Sequence, residues 1–127
     1  MRPGREMDCA IAQNVFGHRV YIKRRVPHEE TPKGERPLRP YSKEMEWAWE
    51  VASKMGISLI PIENGAWFAL VGNREGWKSP AAFIAYLQTG EFAKAGAAVG
   101  EDAPRVICTA ALNAIESRKS SAPMALN

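Results

Sequence analysis

The run from Ile57 to Val71, ISLIPIENGAWFALV, constrains this chain more than any other segment. It is apolar on both sides of its turn and on both faces of each arm. A strand with one wet face alternates apolar and polar residues. Here Ile57, Leu59, Ile60 and Ile62, then Trp67, Phe68, Leu70 and Val71, leave almost no polar face. A hairpin of this kind needs cover on both sides. Asn64-Gly65 is a strong turn signal and favours a two-residue loop. That register would set Pro61 opposite Phe68 at a hydrogen-bonded site, where proline has no N–H to give. A longer loop around 63–66, or an edge position for the first strand, is therefore expected.

The rest of the chain supplies helices. Met7, Ile11 and Val15 are spaced by four and predict a helix from Arg5 to about Phe16, stopped by Gly17. The stretch HRVYIKRRV alternates and reads as a strand. Residues 27–40, PHEETPKGERPLRP, hold four prolines and read as a loop. Ser42 is the expected N-cap of a second helix, with Glu44 in its first turn and Met45, Ala48, Trp49, Ala52 and Met55 facing the core. Ser79-Pro80 opens a third helix that buries Phe83, Ile84 and Leu87 and stops at Gly90. Residues 91–101 read as a loop or a weak strand. A last helix starts at Asp102 or Ala103, with Pro104 near its first position and Ile107, Ala110, Ala111 and Ala114 on a narrow face.

The expected fold is α+β, a three-layer α-β-α sandwich. A small, mostly antiparallel sheet with a central hairpin at 57–71 is covered by helices on both faces. A chain of 127 residues suits one domain, placed at 1–119, with a disordered tail at 120–127. No apolar run approaches the ~20 residues needed to span a bilayer. The start, MRPGREMDC, lacks an apolar signal core, so a cytoplasmic protein is expected.

Few residues carry chemistry. Cys9 and Cys108 lie in helical patterns and read as small packed thiols. With two histidines, His18 and His28, and no CxxC, no metal site is expected. No phosphate-binding glycine loop and no nucleophile elbow is present, and no cofactor is expected. Glu44/Glu46 do not share a helix face. A thiol–histidine pair is the weakest candidate, so no catalytic residue is named and the chain is not expected to be an enzyme.

Charge is unevenly spread. The net charge is +3, yet the segment from His18 to Arg39 alone carries seven Lys or Arg against three Glu. An anionic partner would meet this segment first. In a strand, Arg19, Tyr21, Lys23 and Arg25 share one face and form a basic ridge. With Arg24, Arg36 and Arg39 they are the candidate anion- or partner-binding residues. The bland alternative is a charged edge strand that resists aggregation. Trp47, off the main helical stripe, and Trp77, in a turn beside Arg74 and Lys78, are candidate interface residues. For Trp77, packing against the start of the third helix is the structural alternative.

Four blocks, GREMDCAIAQNVFG at 4–17, RPYSKEMEWAWEVASKMG at 39–56, GAWFALVG at 65–72 and APRVICTAALNAI at 103–115, resemble the phage ABA-sandwich domain family. The blocks cover roughly half of the chain in the right order. The resemblance implies an α-β-α sandwich and a phage or prophage origin. The segment at 76–99 and the basic segment at 18–39 look longer than in similar proteins. The matching residues are mainly core and caps, so the resemblance speaks for fold and not for a site. The resulting expectation is a non-enzymatic accessory protein of the bacterial cytoplasm. Its expected partner is a host protein, a defence or regulatory factor that it inhibits. Nucleic acid bound by the 18–39 segment, or an anionic nucleotide signal held by an oligomeric sponge, is the alternative.

Overall fold

The structure is a computed structural model that describes the backbone of residues 4–125 and the side chains of residues 4–119. Its elements in chain order are α1 (Arg5–Asn14), β1 (Arg19–Lys23), β2 (Val26–Thr31), β3 (Gly34–Pro37), α2 (Met45–Met55), β4 (Ile57–Ile62), a 3-10 turn (Glu63–Gly65), β5 (Ala66–Val71), α3 (Pro80–Thr89), α4 (Phe92–Ala95), β6 (Ala97–Gly100) and α5 (Ala103–Ala125). The strands form two antiparallel three-stranded sheets, β1-β2-β3 and β4-β5-β6.

The second sheet is the layer anticipated from the hairpin. Its register, Ile57↔Val71 to Ile62↔Ala66, leaves a three-residue loop, and Pro61 faces Trp67 on the edge strand β4. Asn64 and Gly65 both take left-handed backbone, φ 67° and 75°. On one face Leu59, Ala69 and Ala98 lie in line. Ala69 is fully buried against Val106 and Ala110 of α5, with Ile57, Leu59, Trp67 and Ala98 around it. Small residues on α5 let the helix approach closely, and Gly96 shows how closely. A Cβ there would lie 2.7 Å from Ala114 Cβ, and its φ of +137° is one that other residues rarely adopt. On the far side of α5, α1 and α2 complete the main core. There Met7, Ile11, Val51, Met55, Ile107 and Cys108 are almost wholly buried. This is the α+β, helix–sheet–helix sandwich expected.

The other face of this sheet is covered only in part. Trp77 lies over Gly72, where an added Cβ would overlap its ring. Trp77 also contacts Phe83 and Tyr86, at 5.2 and 5.1 Å between ring centroids, and the Tyr86 hydroxyl donates to the Val71 carbonyl. These aromatics hold α3 in place. No residue of α3 is buried and Ile84 is 54% exposed, contrary to the core role expected for Phe83, Ile84 and Leu87. An open cleft of about 640 Å³ lies between Ser58, Leu59 and Ile60 of β4 and the Trp77–Phe83 segment that opens α3, and Ile62 and Val99 remain exposed. Ser79 caps α3 as expected, its hydroxyl accepting from Ala82 N at 3.1 Å.

The largest departure is at 27–40. Residues expected to form a loop make β2 and β3. Both prolines sit where the ladder tolerates them. Two-residue turns at 24–25 and 32–33 make Glu29↔Arg36 and Thr31↔Gly34 the hydrogen-bonded pairs of β2 and β3. Pro37 then falls at a non-bonded site of the edge strand, and Pro27 at the ladder's end, where Leu38 N donates to its carbonyl at 2.9 Å. Smaller corrections follow. Ser42 is not the cap of α2, which has Glu44 there. It is a buried joint whose N–H donates to Asp8 and whose hydroxyl accepts from Gly4 N, both at 2.8 Å. Burial raises the Asp8 carboxyl above its usual range despite those Ser42 bonds. Trp49 is half-exposed and Val51 takes its expected place, because the buried stripe runs Ala48, Val51, Ala52, Met55. Residues 91–101 hold α4 as well as β6. Helical backbone is described as far as Ala125, and residues 126–127 of the tail expected at 120–127 lie outside the described residues.

One buried carboxylate joins the first sheet to the helices. Within β1–β3 only Glu29 is buried, at 0% exposure. It receives His18 Nδ1 at 2.6 Å, Tyr41 Oη at 2.7 Å and Arg39 N at 2.9 Å, with Arg36 Nη2 at 3.5 Å. Burial alone would raise its pKa. The hydrogen bonds from Arg39 N, His18 and Tyr41, with the charge of Arg36, outweigh that and hold it below the usual carboxylate range. Burial and the Glu29 carboxylate push the Tyr41 hydroxyl up in turn, so it remains a donor at neutral pH.

Two outcomes test this architecture. Trp77→Ala should raise hydrogen exchange across 80–89 while amides of α1, α2 and α5 keep their protection. Equal exchange in α3 before and after would show that the aromatic cluster does not hold it. A carboxyl with a depressed folded pKa stabilises above its unfolded value and loses that contribution as pH falls through the folded one. Glu29→Gln should therefore cost about 3 kcal/mol at pH 7 in denaturant unfolding and flatten the acid-side loss of stability below the model-compound value of 4.5. A Gln variant with wild-type stability would remove Glu29 as the joint.

Candidate functional site

The two tight turns of the first sheet decide where its charges go. β1 ends at Lys23, so Arg25 is not on the ridge with Arg19, Tyr21 and Lys23, as a longer strand would require. Arg24 and Arg25 are instead the two central residues of the β1–β2 turn, with φ 53° and 68°. The seven candidate residues divide among three places.

Arg19, Tyr21 and Lys23 share the outer face of the sheet with Glu30 and Glu35. Arg19 Nε meets Glu30 at 2.9 Å, Lys23 Nζ meets Glu35 at 2.5 Å, and the Tyr21 hydroxyl donates to Glu35. The Glu35 bond raises the Tyr21 pKa, and the Lys23 bond chiefly lowers that of Glu35. Arg19 also lies over the Tyr21 ring, 4.7 Å from its centroid, and Tyr21 stacks with His28. The ridge exists, but its cations are matched by carboxylates on neighbouring strands. Exposed pairs of this kind contribute little stability. They do take the ridge's charge away from an anionic partner.

The turn is different. Among the described residues, Arg24 and Arg25 have no ion pair and both are exposed. Ile22 and Val26 beside them are 62% and 45% exposed. Among the described residues, two guanidinium groups without an ion pair thus stand at the sheet's far end, with Val26 exposed on the outer face beside Lys23 and Ile22 exposed on the opposite face.

Arg36 and Arg39 lie on the inner side, around Glu29. There His18, Thr31, Lys33, Arg36, Arg39 and Glu50 line a cleft of about 350 Å³ beside the Pro32–Lys33 turn. Arg39 is fixed by Glu50 at 2.8 Å and by the Trp47 ring, 3.9 Å from its guanidinium carbon. Trp47 therefore supports the cleft wall and packs on the core, and Trp77 packs over Gly72. His18, Glu29 and Tyr41 were not anticipated as site residues. Only the strand register brings Glu29 between Val20 and Arg36, and a segment read as loop carries no register.

The cysteines are free. Cys108 is buried, burial pushing its thiol up to about 12, and Cys9 is half-buried with its pKa raised for the same reason. No group of three or more His, Cys, Asp or Glu among the described residues could hold a metal ion, and no described helix is long and apolar enough to cross a membrane.

Neither a known protein family nor a curated protein matches the chain. Among solved structures, the chain is similar to a phage protein from Bacillus cereus ATCC 14579, known from a 2.0 Å crystal structure, with a TM-score of 0.57 and 20% identity. The match covers 91% of this chain and 89% of that one. At this identity the likeness is one of fold, and it extends over nearly the whole length of both chains.

Proposed function

We propose that this chain is a phage-borne accessory protein that acts by binding and not by catalysis. Its β1–β2 turn is the element that docks on an acidic surface of a bacterial host protein, whose defence or regulatory activity is thereby blocked. The phage origin draws its support from the fold shared with the Bacillus cereus phage protein. The observation that carries the docking reading is the backbone of the turn. Both central residues have positive φ, a conformation suited to Asn-Gly and costing other residues roughly 1–2 kcal/mol each. Arginine at both positions is a poor choice for folding. Strain of this kind is retained where the side chains serve another purpose. Val26, exposed beside the turn on the outer face, adds an apolar contact that suits a protein surface better than a phosphate backbone. Arginine is among the residues enriched at binding hot spots. The matched ridge leaves nucleic acid with fewer free cations than the sequence alone suggests.

Arg24→Asn combined with Arg25→Gly tests this reading, because stability and binding should move in opposite directions. The variant should unfold about 1 kcal/mol less readily than wild type. It should also fail to retain a host protein that wild type retains stoichiometrically from nuclease-treated lysate. Equal capture by both forms would overturn the docking role of the turn. Capture abolished by nuclease would move the assignment to nucleic acid.

A further inference from the structure

The inner cleft points to a second ligand, independent of the turn. We propose that it binds a small phosphate ester bearing a hydroxyl near the phosphate, as in a sugar phosphate, with Arg36 and Lys33 gripping the oxyanion. The cleft's volume, about 350 Å³, lies at the small end of ligand sites, which begin at roughly 300 Å³.

The protein leaves Arg36 underused. Its Nη2 reaches Tyr41 Oη and Glu29 Oε1 only at 3.5 Å, and its Nε is shielded from solvent with no partner. A guanidinium offers five N–H donors in a planar fork suited to phosphate. Lys33, exposed on the turn, has no ion pair among the described residues and can swing onto a bound anion. The carboxylates nearby are already matched. Glu50 is held by Arg39, and Glu29 by His18, Tyr41 and Arg39 N. An entering dianion therefore meets cations with capacity to spare.

Glu50 defines the rest of the ligand. Arg39 engages its Oε2, and its other carboxylate oxygen is a further acceptor on the cleft wall. An acceptor next to cations suits a ligand that brings a hydroxyl donor beside its phosphate.

Calorimetric titration at low salt with ribose 5-phosphate, inorganic phosphate and a 5′-phosphorylated oligonucleotide tests the proposal. Ribose 5-phosphate should bind more tightly than inorganic phosphate. Lys33→Gln, which removes an exposed side chain, should weaken it about tenfold with an unchanged melting temperature, and Arg36→Gln by at least as much. The Arg24→Asn/Arg25→Gly variant should bind it as wild type does, which separates this site from the turn. Absence of binding at millimolar ribose 5-phosphate, or binding indifferent to Lys33→Gln, would overturn the proposal. Tighter binding of the oligonucleotide would overturn it in favour of a nucleic-acid end.

Discussion

A single buried carboxylate, Glu29, ties the first sheet to the rest of the molecule. Desolvating a carboxylate costs several kcal/mol unless its lone pairs are filled. Here they are filled from the link between α1 and β1 (His18), from β3 (Arg36) and from the segment entering α2 (Arg39 N and Tyr41). No other residue of β1–β3 is buried, although Val20 packs at the core's edge. An apolar residue at position 29 would offer packing but no directional bond to any of these four groups. The carboxylate thus sets how the sheet sits against α1 and α2, and with it the orientation of His18 and the shape of the inner cleft.

Charge in this protein is sorted by partner availability and not by its density along the chain. The strand ridge is matched pair by pair with Glu30 and Glu35. The turn, at the end of the ladder, has no neighbouring strand to supply a carboxylate. The cleft lies between, its charges partly matched but with Arg36 bonded only at long range. A sequence count treats these three environments as one basic segment.

How much was legible depended on whether the signal was local. The Met7–Ile11–Val15 stripe, the Ser79 cap and the edge position of Pro61 each follow from a few neighbouring residues, and each appears in the structure. Trp49 was misplaced because two overlapping helical stripes fit the same apolar residues, and α5 selects the one through Val51. β2 and β3 were hidden because proline density argues against strands on average. The two prolines that enter strands occupy the sites where a missing N–H costs least. The candidate residues were read as one basic segment, which the structure divides among three places. Their grouping was not legible, since one residue of strand length decides which face a side chain takes.

The sequence by itself determined a doubly apolar hairpin, a helical layer against it and the absence of an extended apolar span, because hydrophobic pattern and turn chemistry act over a few residues. Only the tertiary structure decided that a proline-rich, charged stretch is a sheet, that Glu29 lies at its buried joint, and that Arg24 and Arg25 stand unpaired while Arg19 and Lys23 do not. Those outcomes depend on strand register and on contacts between residues distant in sequence, for which no local pattern exists. The fold was thus written in periodicity, and the sites in long-range electrostatic pairing.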